Sequence, residues 1–426
     1  MIVDLTNSHA SPIQSGVPAW ITYDFLNSLI IINGSLYFSA WITQDQLVNP
    51  FWYGFTFSIS TFILLLLLPA KGALLDRFGI GRLLLFTTSV LIGISAILLT
   101  GLGHKEQRFW RIGGTLVTFG FINLLYQASL VSYNWLLPHL RGVKNETDIR
   151  RVSGLGEAAG SFGSVVGALL GATLLSTFLK TSASPRIDLF FWLGLLFLIL
   201  FFLDYAFLRR GINEHQNGQG REPFIQMMRS SFGLLRTRSE TRRFLFAFLL
   251  FADALLTVQL YLPIFMRERL FLDDASASVA FAISLTAAAV GAWAFSYWGK
   301  SRLPRRTIMV CLIAWIVTLI AIGINYNARI FFGLMVLAGI EYGLIWSASR
   351  AYIIELTPTE YLGRTLGFFA VFERCASILG PLLWGTIMLL PLGLAERYIF
   401  AFSTMAGLLL AALLTLTINR SIQSNS

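Results

Sequence analysis

About twelve runs of roughly twenty apolar residues follow one another along this chain, separated by short polar connections. No other feature restricts the fold so strongly. A helix needs about 20 residues to cross a hydrocarbon core of roughly 30 Å. Within lipid, only helices and closed barrels satisfy every backbone N–H and C=O group. The runs are helix-length, so the expected class is an all-α membrane protein. Charged residues make up 13% of the chain, against about a quarter in soluble domains. The expected spans are 18–42, 50–70, 83–101, 113–136, 152–178, 188–208, 244–266, 276–298, 307–324, 329–350, 364–390 and 396–418.

One connection is long. Residues 209–243 are polar and basic and divide the chain into 1–208 and 244–426, each with six spans. The net charge of +10 is not a nucleic-acid signature in such a chain, because the placement of Lys and Arg sets topology. Connections after even-numbered spans hold most of them, including Lys71, Arg77 and Arg82, then Arg141, Lys144, Arg150 and Arg151, and later Lys300, Arg302, Arg305 and Arg306. The positive-inside rule therefore puts the linker and both termini in the cytoplasm. The first span lacks the basic flank and cleavage site of a signal peptide. Cys311 and Cys375 fall inside spans, and His9, His104, His139 and His215 show no ligand spacing, so neither a disulfide framework, a metal nor a cofactor is expected. The sequon at 145–147 falls on the cytoplasmic side and carries no weight.

The halves repeat. "RVSGLGEAAGSFGSVVG" (151–167) aligns with "RTLGFFAVFERCASILG" (364–380), pairing Arg151 with Arg364, Gly154 with Gly367, Ser164 with Ser377 and Gly167 with Gly380. Similar offsets pair "ASLVSY" (128–133) with "ASRAY" (348–352), and "YDFLNS" (23–28) with "FADALLT" (251–257), which makes Asp24 and Asp253 pseudo-equivalent. Two parallel six-helix repeats joined by a cytoplasmic linker describe a major facilitator architecture.

The stretch "PAKGALLDRFGIGRLLL" (69–85) resembles the loop signature of the major facilitator superfamily, matched at Gly72, Asp76, Arg77, Gly79 and Arg82. The resemblance implies a cytoplasmic gating role for these residues and a solute site between the halves. A narrower resemblance, to the vacuole-effluxer-like branch, rests on "WITYDFLNS", "YNWLLPHL", "RVSGLG", "FADALLT", "SASRAY" and "SILGPLLWG" in that order. Ala254 stands where that branch tends to have Gly, and Glu157 where it tends to have an aromatic residue.

Ionisable groups inside spans are costly and mark solute or proton pathways. At about 1.5 Å per residue, Asp253, Glu341, Glu373 and Arg374 all lie roughly 14 Å deep. The first half is expected to place only Asp24 and Glu157 in the membrane, nearer the cytoplasmic side. A carboxylic acid held out of bulk water could take up a proton on one side and release it on the other. Arg374 would hold a carboxylate instead. The alternative is a static Arg–carboxylate pair between helices. Asp24 shares a face with Asn27 and Ser28, as Asp253 does with Thr257. It either faces the bundle interior or snorkels to the interface. Gly160, Gly163, Gly167 and Gly171 recur at three- and four-residue spacing and read as close helix packing. Arg350 and the "TPTEYLGR" turn (357–364) read either as a second cytoplasmic latch or as headgroup anchors.

The expectation is a monomeric secondary transporter in a bacterial inner membrane, surrounded by lipid. It would move a small polar solute, with amino acids implied by resemblance, coupled to protons through rocker-switch alternating access. The rival is a membrane sensor or scaffold with a transporter fold. No nucleophile–base set or nucleotide loop points to an enzyme or a primary pump.

Overall fold

The computed structural model describes residues 16–141, 143, 146–212, 239–298, 304–357, 369 and 371–417. Most of the basic linker and the 358–364 part of the "TPTEYLGR" turn lie outside them. Eleven helices among the described residues are long and apolar enough to cross a membrane.

In the first half these are α1 (Val17–Asn33), α2 (Pro50–Phe78), α3 (Gly81–Gly103), α4 (Thr115–Leu136), α5 (Glu146–Thr177) and α6 (Pro185–Arg210). In the second they are α7 (Ser239–Glu268), α8 (Asp274–Trp298), α9 (Pro304–Ile324), α10 (Ala328–Glu355) and α12 (Leu394–Thr417). A shorter helix, α11 (Leu379–Met388), occupies the remaining position. Extended pairing among the described residues is limited to an isolated bridge between Leu140 and Ile212, beside the Arg141 N–H to Gly211 bond of 2.7 Å.

The described residues gather into two compact units, Met1–Gly34 with Leu67–Pro223 and Ser35–Leu66 with Phe224–Ser426. The far end of α1 and the start of α2 thus pack with the second half of the sequence. Past Asn33, α1 continues as wider π-helical turns at Gly34–Phe38 and Trp41–Asp45.

In the first unit, α5 lies directly on α1. A Cβ on Gly163 would come within 2.3 Å of the Phe25 carbonyl oxygen, and one on Gly167 within 2.3 Å of that of Leu29. Both distances are shorter than any tolerated contact, so only glycine lets the two backbones approach this closely. The spacing of these glycines has the packing meaning expected from sequence.

The α2–α3 connection is tighter than expected. Helix α2 runs to Phe78, so Gly72, Asp76 and Arg77 belong to its last turns and not to a loop. Gly79 alone reverses the chain, with φ of 60° and its N–H bonded to the Leu75 carbonyl at 3.0 Å. This left-handed C-terminal cap favours glycine strongly. Arg82, half-buried, falls in the first turn of α3.

The eleventh expected span, 364–390, is broken where it is described. Residues 371–375 are helical, a turn follows, and the helix restarts at Leu379. The Ser377 N–H reaches the Arg374 carbonyl at 3.2 Å and the Ser377 hydroxyl bonds that same carbonyl at 2.9 Å, tightening the turn. Pro381 adds a residue with no N–H to give. Carbonyls near the break find other donors, Ser58 Oγ for Ile378 at 2.9 Å and Tyr261 Oη for Pro381 at 3.0 Å. Satisfied in this way, a helix break is tolerable at membrane depth.

Candidate functional site

The polar groups of the first unit collect where α1, α4 and α5 meet. Trp20 stacks on Tyr133 with ring centroids 3.9 Å apart and planes 8° from parallel, and its Nε1 donates to the Tyr133 carbonyl at 2.9 Å. This pair fixes the first turns of α1 against α4. One turn on, Asp24 lies against bare α5 backbone, since a Cβ on Gly160 would meet its Oδ2 at 2.9 Å and Ser28 Oγ at 3.1 Å. Asp24 is half-buried and Glu157 is exposed, yet the two are close enough for their negative charges to repel. Asn27 donates a long 3.4 Å bond to Ser129 Oγ, while its Oδ1 is buried with no partner among the described residues. The Tyr133 hydroxyl is likewise buried and unpartnered there. Ser129 and Tyr133 escape attention in the sequence, although both lie in stretches that carry the repeat or the resemblance.

One expectation needs correcting. Asp24 and Glu157 are not the only acids in the first half's spans, because Asp204 is 8% exposed within α6 and its Oδ2 has no partner among the described residues. The asymmetry between the halves is therefore weaker than the sequence suggests.

In the second unit, the acids address different helices. Asp253, near the middle of α7, faces α11, and a Cβ on Gly380 would meet its Oδ1 at 3.0 Å and Thr257 Oγ1 at 2.0 Å. Asp253 Oδ1 and Thr257 Oγ1 are buried without partners among the described residues. The carboxylate therefore sits at the N-terminal turn of α11, where the partial positive charge of the helix favours an anion. Glu341, mid-way along α10 and 4% exposed, instead faces α9, accepting a 3.0 Å bond from Thr318 Oγ1 while its Oε2 is unpartnered among the described residues. Glu373 and Arg374 are half-buried in the helical residues just before the break. Asp253, Glu341 and the Glu373–Arg374 pair thus occupy separate positions.

A further charged cluster was hidden in the sequence. Arg267 is 3% exposed; its Nε donates to Asp274 Oδ1 at 2.9 Å, its Nη2 stands 2.8 Å from the same oxygen in an ion pair, and its Nη1 donates to the Pro263 carbonyl at 3.0 Å. Its guanidinium lies 5.9 Å from the Tyr37 ring, and the Tyr37 hydroxyl is 2.6 Å from Ser278 Oγ. Arg267 falls one residue past its expected span and so passes for an interfacial anchor.

The model of the family described as vacuole effluxer Atg22 like matches residues 52–422. The chain belongs to that family. Its Atg22-like sequence is 25% identical over 395 residues to an uncharacterized MFS-type transporter, YxiO, of Bacillus subtilis strain 168, covering 86% of each chain. It is also 25% identical over 265 residues to autophagy-related protein 22-1 of Neosartorya fischeri, a match spanning 56% of this chain and 43% of that one. Among solved structures, a nucleoside transporter, NupG, superposes with a TM-score of 0.71 at 14% identity, covering 95% of this chain and 98% of the other. A bacterial homologue of the human lysosomal transporter Spinster gives 0.68 at 14% identity, with 96% of each chain covered. These likenesses establish the major facilitator fold, and this Atg22-like protein is a multi-pass membrane transporter of MFS type.

Proposed function

We propose that the protein is a proton-coupled secondary transporter of a small polar solute, working by rocker-switch alternating access, with amino acids the first class to test. The observation that carries this reading is the pair of mid-helix acids in the second unit. Asp253 and Glu341 are each buried with a carboxylate oxygen that finds no partner among the described residues. A buried acid that keeps one carboxylate oxygen unpaired is expensive in a purely structural role. It is useful in a carrier that loads and unloads a proton. The placement of Lys and Arg supports cytoplasmic termini, and short connections fit a bacterial inner membrane. The protein acts as a monomer in this reading.

The test is pH-dye fluorescence in proteoliposomes challenged with amino acids, peptides and sugars. Wild-type protein is expected to move protons in response to one class, and Asp253→Asn or Glu341→Gln to abolish that response. Correctly inserted protein that answers to no solute would favour a sensor or scaffold. Solute uptake without proton movement would remove the coupling alone.

A further inference from the structure

In the second unit, Thr286, Thr404 and Thr415 each return their hydroxyl to the carbonyl four residues back, at 2.8 Å. Thr318 of α9 instead sends its hydroxyl across to α10, donating to Glu341 Oε1 at 3.0 Å. With Thr318 1% and Glu341 4% exposed, bulk water does not compete for this bond. The bond divides the carboxyl group. Oε1 has a donor, while Oε2 is buried without a partner among the described residues.

That division decides where a proton goes. In the neutral acid, the oxygen that already accepts a hydroxyl hydrogen serves as the carbonyl, so Oε2 carries the proton. In the ionised acid the same hydroxyl donates to a charged oxygen, and such bonds are roughly twice as strong as neutral ones. Few other groups act on the site. Cys311, two turns earlier on the same face of α9, is close enough to feel the charge of Glu341, and among the described residues no charged group acts on that acid. On either side of Glu341, α8 meets Gly339 and Gly343 with the backbone of Ser284 and Ala288. Helix α7 turns Asp253 to α11 and Gln259 to the Tyr342 hydroxyl. Helix α12, packed on α9, carries its titratable groups, Glu396, Arg397 and Tyr398, in its first turns. We propose that Thr318 is the positioning residue of a proton site at Glu341. It holds Oε1, leaves Oε2 to carry the proton, and sets the proton concentration at which the site loads. As a part of transport this rests on the reading above; as a property of Glu341 it is measurable without any solute.

The experiment follows the carboxylic-acid carbonyl stretch in infrared spectra of the full-length protein in lipid, titrated with pH. The band that Glu341→Gln removes identifies neutral Glu341. Thr318→Val keeps the branched shape and loses the hydroxyl. In this variant the band is expected at higher frequency, because its carbonyl has lost a donor, and is expected to appear at roughly tenfold lower proton concentration. Thr318→Ala should give the same two shifts, and Thr318→Ser should restore both. Hydroxyl-free variants that lose thermal stability yet keep the wild-type frequency and midpoint would make the bond a static tie between helices and overturn the proposal, while transport stands. A Glu341 band that is absent, or present unchanged, across the whole pH range would overturn it as well and remove Glu341 from coupling. In proteoliposomes given a mixture of the standard amino acids, the pH of half-maximal proton movement is expected to follow the infrared midpoint in Thr318→Val. A transport profile that stays put while that midpoint moves would overturn the role of Thr318 in the cycle. Infrared shifts in a protein that moves no solute would uphold the positioning and overturn transport.

Discussion

The pairs α1–α5 and α7–α11 begin from related sequence elements, an acid on the first helix of each half and a glycine on the fifth, and end as different structures. In the first pair, α5 is continuous from Glu146 to Thr177, and its glycines bring it onto the carbonyls of α1. Asp24 therefore meets the side of a helix, with a second carboxylate nearby. In the other pair the fifth helix breaks after Cys375, and Asp253 meets the N-terminal turn of the new segment. The same residue type thus faces a mid-helix surface in one half and the positive end of a helix in the other. The repeat keeps the helix pair but not the contact, because Gly380 aligns with Gly167, which meets the Leu29 carbonyl, whereas Asp24 meets Gly160.

The comparison can be broken most forcefully at the glycine seam. Gly163→Leu drives a side chain into the Phe25 backbone and is expected to abolish the monodisperse peak in size-exclusion chromatography, a cost above the usual 1–3 kcal/mol of overpacking. Gly380→Ala should cost about 1–3 kcal/mol in unfolding experiments. Thr257→Ala removes the nearest atom and should restore part of that stability, and the absence of any rescue would show that α11 cannot shift. Ser58→Ala and Tyr261→Phe each remove the side-chain bond to a carbonyl beside the break, and each should lower stability by about 1 kcal/mol. The smallest effect sharpens the electrostatic contrast. Asp253→Asn should lose about 0.3–1 kcal/mol of helix-end stabilisation, whereas Asp24→Asn, relieved of repulsion from Glu157, should lose none. Equal losses in a parallel denaturation series would erase the distinction.

The spans were legible in the sequence because lipid leaves the backbone so few options. Expected and observed ends agree within a few residues for most helices, and α2 overruns its apolar run because basic residues are tolerated in a helix at headgroup level. The break near Ser377 was not legible. Hydropathy reports the solvent a segment prefers, and "CASILGPLLWG" is as apolar across the break as on either side. Asp204 was overlooked for a different reason, since it lies in the run "LFFLDYAFL" four residues from the end of its expected span, where an acid passes for an interfacial residue. Asp253 and Glu341 could be read as buried acids. That one faces α11 and the other α9 depends on helix rotation, which an all-round apolar helix does not encode in its periodicity.

The π turns in the far part of α1 have an evolutionary side. Each holds one residue more than an α turn would, and they begin at Gly34, where the chain passes from one compact unit to the other. Gain or loss of a residue there would turn Trp41 and its neighbours about the helix axis without disturbing the glycine seam below. A lineage could then re-aim one end of this helix by a single-codon insertion or deletion, a change that would be ruinous a few turns earlier.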